Sequence, residues 1–422
     1  MNILIDQKNK LIIFTFTIYI FFWSFNILGD NILRYLIFIP FVISVFEINL
    51  RKNKLALYKF LIIPIFLIIH YLLANFINST PIFLRDFVAI SFISIIIFTF
   101  LFYRSLLYAN IANILKVYFL LLLIFSIFTE KSLDVGSCSS SFFYYFPILE
   151  NISISKGFFL ENSHLAMVNI AAILSGYYYF FKKKDLLILI LTSSSLIINI
   201  FNLSTTFLAG YIICSILIFF KSKNFYFKIF IFGSSAIFAI FLYFSHDCNK
   251  KYSYINIDDI KNETIQRDKT GELTSNVYER SIVISINTLK NYPLGWGYDG
   301  SVKATKNYLQ YLKDKNKNSK NMQENLFDRF VWNVNLRDAL GNIFKILIEF
   351  GYLSLPLIFL FFLYLKNSKI SGFEIFIISI FIVQLFRGAG YINGGFILAF
   401  SEIFLSRYII INNHHLNKKS PN

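Results

Sequence analysis

Charge is scarce in this chain: 40 Lys/Arg and 24 Asp/Glu among 422 residues. That is 15% charged against 56% hydrophobic, where soluble domains average about 25% and 45–50%. The shortage excludes a soluble enzyme and a disordered chain. Cysteine is scarcer still, three residues, too few for a disulfide scaffold. No HxH, HExxH or carboxylate-rich run offers a metal site on the expected outer face, and no P-loop or Rossmann glycine pattern appears. No cofactor or metal is therefore expected. Basic residues are not interleaved on a soluble domain, so nucleic acid is not an expected partner.

What is present is apolar length. About 236 residues are hydrophobic, and a spanning helix needs about 20, enough for about twelve. The runs are continuous instead of alternating, which excludes an outer-membrane barrel. The expected fold is an all-α polytopic membrane protein. Its twelve candidate runs lie near 11–28, 32–48, 59–77, 86–103, 111–128, 158–181, 185–201, 204–220, 225–244, 340–364, 372–388 and 393–411. The first run lacks a small-x-small cleavage site and reads as a retained helix. The abundance of Phe (52) and Lys over Arg fits an AT-rich genome, so neither is read as a ligand signature.

Charge placement sets the direction, because short cytoplasmic loops are enriched in Lys and Arg. With the N-terminus inside, the inner segments carry nineteen basic residues, among them Lys8, Arg51, Arg104, Lys116, Lys182–Lys184, Lys221 and Lys366. The short outer connections carry Arg34, Arg85, Lys131, Lys156 and Arg387. Both termini are therefore expected in the cytoplasm, with 412–422 as a tail. The expected organisation is nine helices over 1–244, a large outer loop over 245–339 and three helices over 340–411. A smaller outer loop covers 129–157. The large loop holds 15 Lys/Arg and 12 Asp/Glu, and long translocated loops escape the charge rule. Its amphipathic stretch 276–292 predicts partial folding, and the Lys/Asn-rich run 313–321 predicts a mobile excursion. Cys138 and Cys248 both fall in outer loops and read either as a disulfide or as two separate thiols. Cys214, inside a helix, reads as packing.

Ionisable groups at membrane depth or helix ends are functional candidates. Arg85–Asp86 reads as a substrate cation or as a local ion pair and interfacial anchor. Glu161, His164, Arg337, Asp338 and Arg387 fall at outer ends. His164 suits a proton shuttle or an ordinary interfacial role. Glu349 lies one to two turns inside the tenth run, and His70 reads as a buried hydrogen-bonding residue. The strongest local pattern is ERSIVISINTLKNYPLGWGYDG, residues 279–300. Arg280 opens an amphipathic helix, Pro293 stops it, and a turn follows through Gly295, Gly297, Tyr298 and Gly300. An arginine there presents a planar donor pair suited to phosphate, and the glycines allow backbone amides near an anion. A plain turn is the other reading.

This segment resembles the periplasmic-loop signature of the O-antigen ligase/polymerase superfamily, in which an Arg precedes a Pro-x-Gly-x-Gly turn. GFFLENSHLAMVNIAAIL (157–174) resembles that family's Gly-x-Phe-x-Glu pattern. LGNIFKILIEFGYLSLPL (340–357), with Asn342 and Glu349, resembles the helix after its long loop. Ligases place a His before that Asn, where Gly341 stands here, and an Arg where Thr205 and Thr206 stand. The resemblance therefore favours the polymerase branch. It implies a GT-C-like, metal-independent glycosyltransferase at the periplasmic face of the bacterial inner membrane. That enzyme would polymerise undecaprenyl-diphosphate-linked repeat units into O-antigen or capsule-type polysaccharide. In that scheme Arg280 contacts diphosphate with Arg337, Arg387 and Arg85 in support, and Glu161 or His164 takes the acceptor's proton. Expected partners are the lipid-linked donor and acceptor, membrane lipids, a chain-length regulator and a flippase. The alternatives are an O-antigen ligase acting on lipid A-core and a lipid-linked oligosaccharide flippase or other transporter. A structural scaffold of a polysaccharide assembly complex is a third class.

Overall fold

The computed structural model describes residues 2–22, 32–51, 54–128, 159, 162–202, 204–251, 270–316, 341–367, 370–388, 390–392 and 395–406. Its regular elements are helices: α1 (Asn2–Phe21), a 3-10 turn (Ile32–Ile37) leading into α2 (Phe38–Arg51), α3 (Lys54–Ile77) and α4 (Leu84–Phe128). Next come α5 (Asn162–Lys183), α6 (Leu186–Phe201), α7 (Thr205–Lys221) and α8 (Phe225–Lys251). The loop region holds α9 (Thr270–Asn291) and α10 (Ser301–Asn316). The last elements are α11 (Asn342–Phe350), α12 (Leu355–Asn367), α13 (Gly372–Phe386) and α14 (Phe396–Phe400), which runs into a π-helical turn, Ser401–Leu405.

The all-helical expectation holds, and the chain has the helices of an α-helical membrane protein. By length and composition, three segments among the described residues can cross a bilayer: Leu84–Ile127, Ser163–Lys183 and Asn342–Asn367. Six shorter apolar helices accompany them. Large apolar side chains face outward, including Phe76 (82% exposed) and Phe220 (77%), as a lipid-facing surface requires.

Two boundaries differ from the hydropathy reading. The runs 86–103 and 111–128 follow each other with no non-helical residue between them, in a stretch, 84–128, that contains neither Gly nor Pro. A straight helix of 45 residues would be about 67 Å long. The partners of α4 nevertheless show its two halves crossing the bundle in opposite directions. Asp86 bonds Tyr71, and Arg85 reaches Asp299, at the end of the bundle that carries α9 and α10. Tyr108 packs on Phe373 at the far end, beside the start of α13. Phe125 then packs on Phe22, which touches Phe159 just ahead of α5. α5 lies antiparallel to α13, with Ser175 bonded to the Gly372 carbonyl, so Phe159 belongs to the α9–α10 end.

The second difference lies in the tenth run, expected as one helix over 340–364. It breaks after Phe350: Gly351 has φ +55°, a 3-10 turn spans Gly351–Ser354, and α12 starts afresh. Smaller shifts follow the same pattern. α8 continues to Lys251, past the expected loop start at 245, and α10 carries helix through Asn316 into the run read as mobile. Polar ties stitch the bundle: Arg104 grips Glu402 through two bonds of 2.5 and 2.6 Å. Tyr118 and Ser195 both donate to Asn169 Oδ1, at 3.0 and 2.7 Å. Cys214 is fully buried against α13, the packing role expected of it.

Candidate functional site

The breaking of a membrane helix frees backbone groups that lipid cannot satisfy. Here the Pro293–Gly297 turn satisfies them. The amides of Trp296 and Gly297 donate to the carbonyls of Ile348 and Glu349 at 2.9 and 3.0 Å, and the Tyr352 amide donates to the Pro293 carbonyl at 2.9 Å. The turn thus clasps the gap between α11 and α12. Gly295 (φ +73°) and Gly351 (φ +55°) face each other so closely that a Cβ on either would overlap the opposing backbone.

This changes the reason for the glycines. The Gly295 amide donates to Tyr292 O, and the Gly297 amide to Glu349 O, so both are spent inside the protein and do not face an anion. α3 supports the clasp from the side. His70 Nε2 donates to the Leu294 carbonyl at 2.9 Å and its ring stacks on Phe350 at 4.7 Å. Asn78 Nδ2 donates to the Gly295 carbonyl at 2.9 Å. His70 is thus the buried bonding residue expected of it.

Around the clasp lies a polar shelf. Tyr71 donates to Asp86 at 2.6 Å, and Lys303 donates to Asn75 Oδ1 at 2.5 Å and to the Pro81 carbonyl at 3.0 Å. Arg85 lies 3.4 Å from Asp86 and 3.6 Å from Asp299, with its side chain 61% exposed. The local ion pair read for Arg85–Asp86 is present. Burial lowers the Lys303 ammonium below its usual 10.5, a shift opposed by Asp86 and Asp299. Below the clasp, Glu349 is fully buried, with Lys345 Nζ 3.9 Å away. Tyr391 adjoins both, its ring 5.0 Å from the Lys345 ammonium, and Tyr298 packs on it at 6.3 Å.

Arg280 lies in the third turn of α9, not at its start, because the helix begins at Thr270. It falls on the buried face with Ile284 and Thr288, and Ile284 shares a core with Trp296 and Ile348. Burial lowers its guanidinium from 12.5 to about 10, so the cation persists at neutral pH. Two residues before it, Tyr278 donates to the Phe386 carbonyl beside Arg387. Arg387 caps α13, and the following Gly388 lies against the buried Asn342. Gly295, Gly297, Tyr298, Glu349 and Arg85 are thus gathered at the clasp and shelf, with Arg387 and Asn342 at the α13 end of α9. His164 lies in the first turn of α5, partly buried. Glu161, Arg337, Asp338 and Cys138 lie outside the described residues, as does the Cys248 side chain, so the first of the two candidate proton acceptors and the disulfide do too. Among the described residues, no three His, Cys, Asp or Glu side chains converge as metal ligands do.

Sequence reading passed over Tyr71, Asn75, Lys303, Lys345 and Tyr391. A signal existed for the first two: Tyr71, Asn75 and Asn78 stand at i, i+4 and i+7 in an otherwise apolar run. Lys345 and Glu349, four apart in an apolar segment, form a pair of the same kind. Comparison with protein-family models, curated proteins and solved structures finds no match for this chain.

Proposed function

We propose that this chain is a polymerase of lipid-linked oligosaccharide repeat units, working at the periplasmic face of the bacterial inner membrane. The reading includes twelve crossings with both termini cytoplasmic. Its main support is the joining of two of the three resemblance-bearing segments: 279–300, with the Arg280 helix and its Pro-Leu-Gly-Trp-Gly turn, and the helix of Asn342 and Glu349 meet in one unit.

In the proposed reaction, an acceptor sugar hydroxyl attacks the anomeric carbon of the growing chain. The bond to the lipid diphosphate breaks, and that group leaves with the electron pair. Negative charge grows on the diphosphate, so a nearby fixed cation lowers the barrier. Arg280 is assigned to that charge, with Arg85, Arg337 and Arg387 in support. The hydroxyl proton passes to Glu161 or His164. A chain-length regulator and the flippase that delivers the repeat unit are the proposed partners, and O-antigen ligase is the related enzyme alternative.

One observation favours a transporter instead. Broken helices with buried charge, such as α11–α12 with Lys345 and Glu349, line many transport sites. Against this, the carbonyls and amide at the break are already bonded to the clasp, so they are not open to a passing ligand.

The test is the glycan pattern of a deletion strain complemented with wild type or Arg280→Ala. Polymerase loss leaves a single repeat unit on lipid A-core, ligase loss leaves none attached, and flippase loss traps lipid-linked units inside. Full-length polymer from Arg280→Ala would reject the assignment of Arg280.

A further inference from the structure

At the end of the bundle opposite the clasp, α5 and α8 meet through aromatic rings. Tyr178 and Phe181 pack on Phe227, with centroids 5.4 and 6.0 Å apart. This junction brings Lys182, Lys183 and Lys184, at the end of α5, beside Lys223 and Lys228, which flank the start of α8. Lys182, Lys183, Lys184 and Lys223 are exposed. Several ammonium groups lie over rings: Lys182 over Tyr178 at 6.0 Å, Lys184 over Phe180 at 5.6 Å and Lys228 over Phe219 at 5.2 Å. Such contacts hold the cations at the edge of an aromatic surface.

Acidic neutralisation here is limited. Asp185, next in sequence, is committed elsewhere: it caps α6 through the Ile188 amide and pairs with Lys116 at 2.5 Å. Glu374, in the first turn of α13, is the nearby carboxylate, acting on Lys221, Tyr178 and Tyr179, and it is bonded to Ser371. Around the lysines, large apolar residues point outward, including Phe220 (77% exposed), Phe225 (67%), Tyr226 (69%) and Leu186 (66%). Exposed aromatic residues beside a row of cations describe a surface at the boundary between acyl chains and headgroups.

We propose that this surface is a binding site for anionic phospholipid headgroups. Lys182, Lys183, Lys184, Lys223 and Lys228 bracket the phosphate, and Phe225 and Tyr226 lie along the acyl chains. The charge is complementary, and juxtamembrane lysine clusters attract anionic lipid on electrostatic grounds. The site is independent of the chemistry assigned to the clasp.

The test uses the purified full chain in non-ionic detergent, titrated with dioctanoyl phosphatidylglycerol, dioctanoyl phosphatidylcholine or inorganic phosphate. Phosphatidylglycerol is expected to bind about tenfold more tightly than phosphatidylcholine and to weaken with salt. Replacing Lys182, Lys183 and Lys184 together by Gln should remove that preference. Replacing all three by Arg, or Lys290 alone by Gln at the other end, should keep it. Equal affinity for the two lipids, a preference that survives the Gln variant, or loss in the Arg variant would overturn the site. Displacement of phosphatidylglycerol by equimolar inorganic phosphate would assign a free-anion site instead, and displacement by an acidic peptide would assign a protein partner. Either result rejects the lipid.

Discussion

The Gly297 amide donates to the Glu349 carbonyl at 3.0 Å, although the two residues lie more than fifty positions apart. That bond closes a break in an apolar helix with a turn from the polar segment between α8 and α11. The loop thereby becomes part of the bundle, and the position of Arg280 is set by the turn that ends its own helix.

The clasp predicts a sharp difference between glycines. Gly351 combines φ +55° with a backbone neighbour where a Cβ would go, whereas Gly233 in α8 has nothing within 4 Å. Gly351→Ala should cost about 1–3 kcal/mol. Gly233→Ala should be neutral or stabilising by up to about 1 kcal/mol. Thermal unfolding of the two variants in detergent checks this, and equal midpoints would show that the clasp carries no such constraint.

Lys345 and Glu349 predict strong coupling. Their side chains are 7% and 0% exposed, so removing one charge strands the other. Lys345→Met or Glu349→Leu alone should destabilise by about 3–5 kcal/mol, with much of the loss recovered in the double variant. A double-mutant cycle on unfolding free energies measures this. Simple additivity would mean that the two charges do not depend on each other.

Helix type and most helix positions were legible in the sequence because apolar runs translate directly into apolar helices. The failures have physical causes. Arg104 and Lys116 mark a loop by the charge rule, but no residue between them leaves the helical assignment, so the two halves of α4 abut at the reversal without a separate loop. Gly351 is an ordinary residue in an apolar run until Pro293 and Gly295 come against it, a contact that lies beyond any local pattern. Lys303 was hidden in a loop of balanced charge. It becomes notable only where Asn75 and the Pro81 carbonyl meet its ammonium.

The reversal within α4 predicts sidedness. Leu84, Tyr108 and Ile127 are 80%, 45% and 68% exposed, so each accepts a cysteine at little cost. In a background with Cys138, Cys214 and Cys248 replaced by Ser, Leu84→Cys and Ile127→Cys should react with an impermeant thiol reagent from one side of the membrane. Tyr108→Cys should react from the other. Labelling of Leu84→Cys and Ile127→Cys from opposite sides would restore a single straight crossing.

Lys303 predicts a pH signature. Burial holds its ammonium below 10.5 in the folded chain, while the unfolded chain keeps the ordinary value. Between the lowered value and 10.5 the unfolded state binds more protons, so stability contributed at this site rises with pH across that window. At lower pH the lysine is charged in both states, and the desolvation cost is borne in full. Lys303→Met removes the titration along with the bonds to Asn75 and Pro81. Unfolding midpoints from pH 8 to 10.5 should therefore climb in wild type relative to the variant. Parallel curves would show that Lys303 is as solvated in the folded protein as in the unfolded chain.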